Sequence, residues 1–282
     1  MKLFLRLALI SFTGSCFWGM SAEVFTDFAS TLSKVQDDWS VTVISNLQPD
    51  SKNNIYFLEG TQYKLEHQGK KAFFFVKNGS AEDFAGNLLT QGTEAVVDAA
   101  NSQIDPLATV SEALYNAFTL YKPNTEWKDW QKNRPKNGIA VGTAWLNSNP
   151  DVWVKSDNAG AQAMRVIHAV GPSGYDGSEK KNKLLFGAYT SALEEAQKAG
   201  LKSVSFPLLS MGAFLTKGTD PKIGMGVAVD AILTFLCQML QENEDGWTVH
   251  LMTYNDSFWC KDLNSITQSW LQEHKFKINL AV

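Results

Sequence analysis

The chain is poor in cysteine and carries no large charge excess of either sign, and each shortage excludes something. Its cysteines number 3 and its histidines 4, His67, His168, His250 and His274, scattered without the ligand spacing of a zinc site. No metal and no other cofactor is expected. With 25 basic and 29 acidic residues the formal charge is −4, so no general field draws the chain to nucleic acid or to an anionic membrane. No nucleic-acid partner is expected, and an anionic ligand has to be held by local backbone dipoles. Internal repeats and low-complexity tracts are absent as well. What is there is 282 residues with 44% hydrophobic and 12% aromatic content, enough for a core burying roughly three quarters of the unfolded surface.

The amino terminus starts basic, Met1-Lys2-Leu3-Phe4-Leu5-Arg6, and continues into Leu7-Ala8-Leu9-Ile10-Ser11-Phe12, too brief to span a membrane with its flanks. This is the pattern of a secretory signal peptide with small residues for cleavage after Ser21 or Ala22. The expectation is an exported protein, periplasmic or secreted, with no membrane attachment once the leader is removed; the competing reading is a buried amino-terminal helix. Cys16 follows Thr13-Gly14-Ser15 but lacks the leucine three residues earlier that a lipoprotein site uses. Without the leader Cys237 and Cys260 remain. An exported chain can join them, while Leu233, Leu236 and Leu240 around Cys237 suit a buried thiol equally.

Trp39–Ile44 and Asn54–Leu58 flank the polar Gln48-Pro49-Asp50-Ser51 and read as two strands around a turn. Ala72-Phe73-Phe74-Phe75-Val76 is continuously apolar, as expected where helices cover both faces of a sheet. Strands and helices then alternate. Val110–Leu120 is a helix with apolar Val110, Ala113, Leu114, Ala117 and Phe118, and Gly138–Trp145 and Met164–Val170 are strands. Lys183–Lys198 is a helix closed by Gly200, and Asp220-Pro221 opens another that runs to Leu240. Trp247–Tyr254 is the last strand, and Asn264–His274 a closing amphipathic helix. The pattern predicts an α/β fold, a three-layer α/β/α sandwich with a mixed central sheet. Its organisation is a leader over 1–22, an N-terminal β extension over 23–70 packed on the main domain, and that domain over 71–282. Tyr121–Asn137 interleaves Trp127 and Trp130 with Lys122, Lys128, Lys132, Arg134 and Lys136; broken by Pro123 and Pro135, it reads as a solvated loop before a nucleic-acid clamp.

Three segments point to a ligand. Ala95-Val96-Val97-Asp98-Ala99-Ala100-Asn101 is an apolar strand that delivers an amide to a sheet's carboxyl edge, where α/β proteins bind ligands. Ser203-Val204-Ser205-Phe206-Pro207-Leu208-Leu209 is another buried strand, followed by Ser210-Met211-Gly212-Ala213-Phe214, whose small residues let backbone N–H groups approach an anion. Val166-Ile167-His168-Ala169-Val170-Gly171-Pro172 lies between them. In this order the three resemble the macro domain family, over roughly Lys71 to Leu271. That family binds ADP-ribose, and some members hydrolyse ADP-ribosyl linkages.

The resemblance implies a macro-domain-like fold and a set of site residues. Asn101 would hold the distal ribose, an amide being able both to donate to and to accept from a diol; a turn-forming asparagine is the structural alternative. Ser210, Met211, Gly212 and Ala213 would hold phosphate through backbone amides, with Phe214 near the ribose or, alternatively, in the core. Val110 and Ser111 would contact ligand from the first loop. That loop departs from the family: Ser102-Gln103-Ile104-Asp105-Pro106-Leu107-Ala108-Thr109 has lost the glycine run, and the family's water-orienting aspartate falls on Ser111, a poor general base. Glu112 is the substitute candidate, the favoured alternative being a first-turn acid complementing the helix dipole. Leu215 replaces a glycine at the end of the second loop. The family's adenine-binding aspartate is missing from Lys77-Asn78-Gly79-Ser80, with Asp83 a few residues on as candidate or surface acid. Asp98 is a further ligand candidate or an anchor for the neighbouring loop, and His168, flanked by apolar residues, reads as a buried histidine fixing the sheet. The functional readings are binding of ADP-ribose or an ADP-ribosylated protein, hydrolysis of an ADP-ribosyl linkage with Asn101 and Glu112 as catalytic residues, or a filled fold kept for protein interaction.

Overall fold

The apolar runs between turn residues become the strands of one sheet. The structure, a computed structural model, describes residues 39–47, 57–79, 88–89, 91–105, 109–121, 131, 133–147, 152–156, 160–254 and 256–280. The leader and Asp83 lie outside them. Among the described residues the chain forms, in order, β1 (Trp39–Leu47), β2 (Phe57–His67), β3 (Lys70–Gly79), β4 (Ala95–Ala99), α1 (Thr109–Tyr121), β5 (Ala144–Leu146), β6 (Val152–Ser156), β7 (Gly160–Ala169), α2 (Glu179–Lys198), β8 (Ser203–Pro207), α3 (Pro221–Gln241), β9 (Trp247–Tyr254), α4 (Ser257–Glu273) and β10 (Lys277–Leu280).

The strands lie in the order β10-β1-β2-β3-β9-β8-β4-β7-β5, with β6 paired to β7. The central five, β3, β9, β8, β4 and β7, are mutually parallel, whereas β1 and β2 join as antiparallel neighbours, so the sheet is mixed. The N-terminal strands continue the main sheet, β2 turning straight into β3. Helices cover both of its faces. Ala95 and Val97 of β4 pack into the layer holding α2, α3 and α4, and Val96 between them packs on the other side with Val110 and Leu114 of α1. This is why β4 is apolar at successive positions.

Several expectations are corrected by how far each layer reaches. In β3 the burial alternates at first, with Phe73 and Phe75 only half-buried, because among the described residues the face opposite α2–α4 is covered by α1 chiefly over β4. Gly138 and Gly142 take φ of 73° and 86°, so the chain turns there and only 144–146 remain extended. The closing helix starts seven residues before Asn264, at Ser257, because the Asp256 side chain accepts from Phe258 N and Trp259 N as its N-cap. Strands β6 and β10 were not expected. The opening of α3 is as read, with the Asp220 side chain capping Lys222 N and Pro221 in the first turn.

The topology marks one place for a ligand. From β4 the chain runs through α1 to β7 on one side; from the adjacent β8 it runs through α3 to β9 on the other. A crevice opens beyond the carboxyl ends of parallel strands where the winding reverses in this way.

Candidate functional site

The β8 loop is built from behind. Tyr189, wholly buried on α2, accepts a hydrogen bond on its hydroxyl from Leu209 N at 2.8 Å, and Ser210 then adopts a φ of 61°. Leu215 N donates to Gly212 O at 3.0 Å, closing the turn. The loop after β7 clamps it from the side: Tyr175 N donates to Phe214 O at 2.6 Å and Thr216 N to Tyr175 O at 2.8 Å. A Cβ at Gly171 would meet Ser210 Oγ, so a larger residue there would force that hydroxyl to turn. The result is a row of unused donors. Among the described residues the backbone N–H groups of Ser210, Met211, Gly212, Ala213 and Phe214 donate no hydrogen bond. Ser210 Oγ, in a residue 6% exposed, is also unpartnered. Polar groups near the interior are normally paired, and a run of free amides is a concave anion site.

These residues form one wall of a cleft of about 300 Å³, at the small end of the range for ligand sites. Ala99 and Val110 contribute from the β4 side; Met252, Thr253, Tyr254, Asp256 and Trp259 contribute from the end of β9 and the start of α4. Ile104 belongs instead to the core beneath α1, and neither it nor Leu215 lines the cleft. Among the described residues Asp256 is the sole charged side chain in the lining.

The β4 loop is organised in the opposite way. Asn101 Oδ1 accepts from Gln103 N at 2.9 Å and Asp105 N at 3.1 Å, tying its own turn. Asn101 is half-buried and outside the cleft lining. Asp98 is 0% exposed; Ser111 Oγ donates to its Oδ1 at 2.6 Å, and His168 Nδ1 lies 2.7 Å from its Oδ2. Asp98 is therefore an anchor joining β4, α1 and β7, with both oxygens occupied inside the core. Ser111 faces that anchor. Glu112 is exposed in the first turn of α1 and does not line the cleft. The structure thus brings together Val110 and Ser210–Phe214, and leaves Asp98, Asn101, Ser111 and Glu112 outside the lining.

At the end of β3, Lys77 is buried and donates to Gln91 Oε1 at 2.8 Å. Burial lowers its pKa to about 8. Burial, then the Lys77 charge, pushes His250 well below the usual histidine range. Asn78 Oδ1 accepts from Thr253 Oγ1 and from Asp256 N, both at 3.1 Å, which fixes the corner carrying Asp256. The sequence reading missed Asp256 and Trp259; the signal was an aspartate in capping position directly after a strand. Cys237 and Cys260 are both buried free thiols, and burial pushes Cys260 up to about 12. Among the described residues no three His, Cys, Asp or Glu side chains gather as metal ligands would.

Comparison with known proteins places this geometry. The family model described as the macro domain matches residues 97–220. A macro domain-containing protein of Caldanaerobacter subterraneus is 30% identical over 129 residues, 46% of this chain and 67% of that protein. An O-acetyl-ADP-ribose deacetylase of Escherichia fergusonii is 44% identical over 74 residues, 26% of this chain and 40% of the enzyme. A macrodomain of Oceanobacillus iheyensis solved with ADP superposes with a TM-score of 0.51 at 22% identity, covering 76% of this chain and 96% of that one. With the family match running unbroken across the β4 loop and the β8 cradle, the chain belongs to the macro domain family.

Proposed function

We propose that the chain binds ADP-ribose, free or attached to a protein, in the cleft between the ends of β4, β8 and β9. The observation that carries this reading is the row of five amides from Ser210 to Phe214 with no acceptor among the described residues. A diphosphate supplies acceptors for them, and it needs no basic side chain when oriented backbone dipoles do the neutralising. The NH2 of Asn101, the half of the amide that its own turn leaves unused, donates to the terminal ribose. The family relationship and the ADP carried by the Oceanobacillus macrodomain agree with a nucleoside diphosphate ligand.

Binding is favoured over turnover. Hydrolysis needs a base near the scissile bond, and Ser111 is committed to Asp98 while Glu112 stands in solvent. The deacetylase relative keeps hydrolysis as the second reading. The basic and apolar run within residues 1–22 supports export, which places the ligand outside the producing cell.

Isothermal titration with ADP-ribose is the test. Saturable heat is expected, with no ADP-ribose released from a mono-ADP-ribosylated protein in a parallel incubation. Absence of heat at millimolar ligand overturns the binding reading, and release of ADP-ribose replaces it with the enzymatic one.

A further inference from the structure

We infer that Gln131 and Arg134 are positioning residues for the terminal ribose: they lock the turn after β4 and so aim the Asn101 NH2 at the ligand. This rests on the binding reading above, in which that NH2 donates to the ribose, and adds the residues that hold it there. The chain from Gln131 to Ile139 braces each of the four residues that follow Asn101. Ile139 N donates to Ser102 O at 2.9 Å, and Arg134 Nη2 donates to Gln103 Oε1 at 2.7 Å. Gln131 Nε2 donates to Ile104 O at 3.3 Å and to Asp105 Oδ1 at 3.0 Å. Arg134 Nη1 also donates to Gln131 O at 3.1 Å, so its planar fork spans brace and loop and fixes the distance between them. Gly138 lies against the same loop with a φ of 73°; a Cβ there would sit 2.5 Å from Ser102 O, a backbone atom with no rotamer to yield.

The turn has to be held, because it is strained. Ile104 has a φ of 57°, a left-handed conformation that a β-branched residue keeps only where its surroundings impose it. Its side chain is wholly buried beneath α1, and its carbonyl oxygen accepts from Gln131. That conformation turns Gln103 N and Asp105 N, on either side of Ile104, toward a single atom, Asn101 Oδ1, at 2.9 and 3.1 Å. Two donors on Oδ1 fix the plane of the carboxamide, and the NH2 is left with one direction. Were Ile104 to relax to an ordinary φ, the two amides would part, Oδ1 would lose the pair, and the carboxamide would turn over freely. The brace thus acts on the ligand only through Asn101.

The experiment titrates ADP-ribose and ADP in parallel. ADP has no terminal ribose and reports the cradle alone, whereas ADP-ribose reports the cradle and Asn101. Both are titrated against the wild-type chain, Gln131→Met, which keeps the side-chain length and removes the donor, Arg134→Ala, and Asn101→Asp with and without Gln131→Met, each well below its unfolding midpoint. In Gln131→Met and in Arg134→Ala the affinity for ADP-ribose is expected to fall about fivefold, less than the whole Asn101 contact, while that for ADP stays within about twofold of wild type. In the Asn101→Asp background Gln131→Met costs ADP-ribose nothing further, since a residue that acts through the NH2 has no effect once the NH2 is gone. Equal losses for the two ligands, additive losses in the double variant, or an unchanged ADP-ribose affinity in either single variant overturn the inference while leaving ADP-ribose binding intact. No binding of either ligand by the wild type overturns both.

Discussion

After β4 the chain spends its polar groups on itself, and after β8, one strand away, it leaves them unspent. The β4 side ties Asn101 Oδ1 to two amides of its own turn and closes Asp98 between Ser111 and His168. The β8 side carries five consecutive amides and a buried hydroxyl without partners among the described residues. Both loops follow neighbouring parallel strands at the same switch point, so topology alone does not separate them. What separates them is where the hydrogen bonds go. A loop that satisfies itself is scaffold, and it costs little to keep in the absence of ligand; a loop that does not is held open by its surroundings, here by the Tyr189 hydroxyl and the Tyr175 strap.

The largest effect expected from breaking this contrast is on the β8 side. A side chain at Gly212 meets nothing within 4 Å, so Gly212→Glu folds normally yet places a carboxylate in the cradle. Affinity for ADP-ribose should drop at least a hundredfold, roughly 3 kcal/mol, by titration, at an unchanged unfolding midpoint. Retained affinity would put the phosphates elsewhere.

On the β4 side the expected effect moves to stability. Asp98→Ala strands Ser111 and His168 in a site with no exposure, and denaturant unfolding should lose about 2–4 kcal/mol, with the dissociation constant held within a factor of about two. A change in affinity larger than the change in stability would return Asp98 to the ligand site.

The smallest effect divides Asn101 between its two roles. Asn101→Asp keeps an oxygen for Gln103 N and Asp105 N but removes the NH2, so the midpoint should hold while affinity falls about tenfold, ~1.4 kcal/mol. An unaltered affinity would confine Asn101 to its turn.

The same contrast explains what was readable in the chain. The run of open amides was legible in the sequence because Ser210 to Phe214 present contiguous backbone, so their spacing is their geometry. Strand β9 and the start of α3 were equally legible, the first from its apolar run after Gly246 and the second from Asp220-Pro221. The Asp98 anchor joins residues 13 and 70 positions apart, and no local pattern announces which way a strand's carboxyl group turns. That the capping Asp256 also borders the cleft follows only from β9 lying beside β8. The short β10 depends on pairing with β1, more than two hundred residues earlier.

The most direct measurement is a titration of isotope-labelled protein with ADP-ribose, following the backbone amide resonances. The largest shifts are expected on Met211, Gly212, Ala213 and Phe214, with those of Gln103 and Asp105 moving little. Amides of the β8 loop that stay in place while ligand saturates another surface would contradict this expectation.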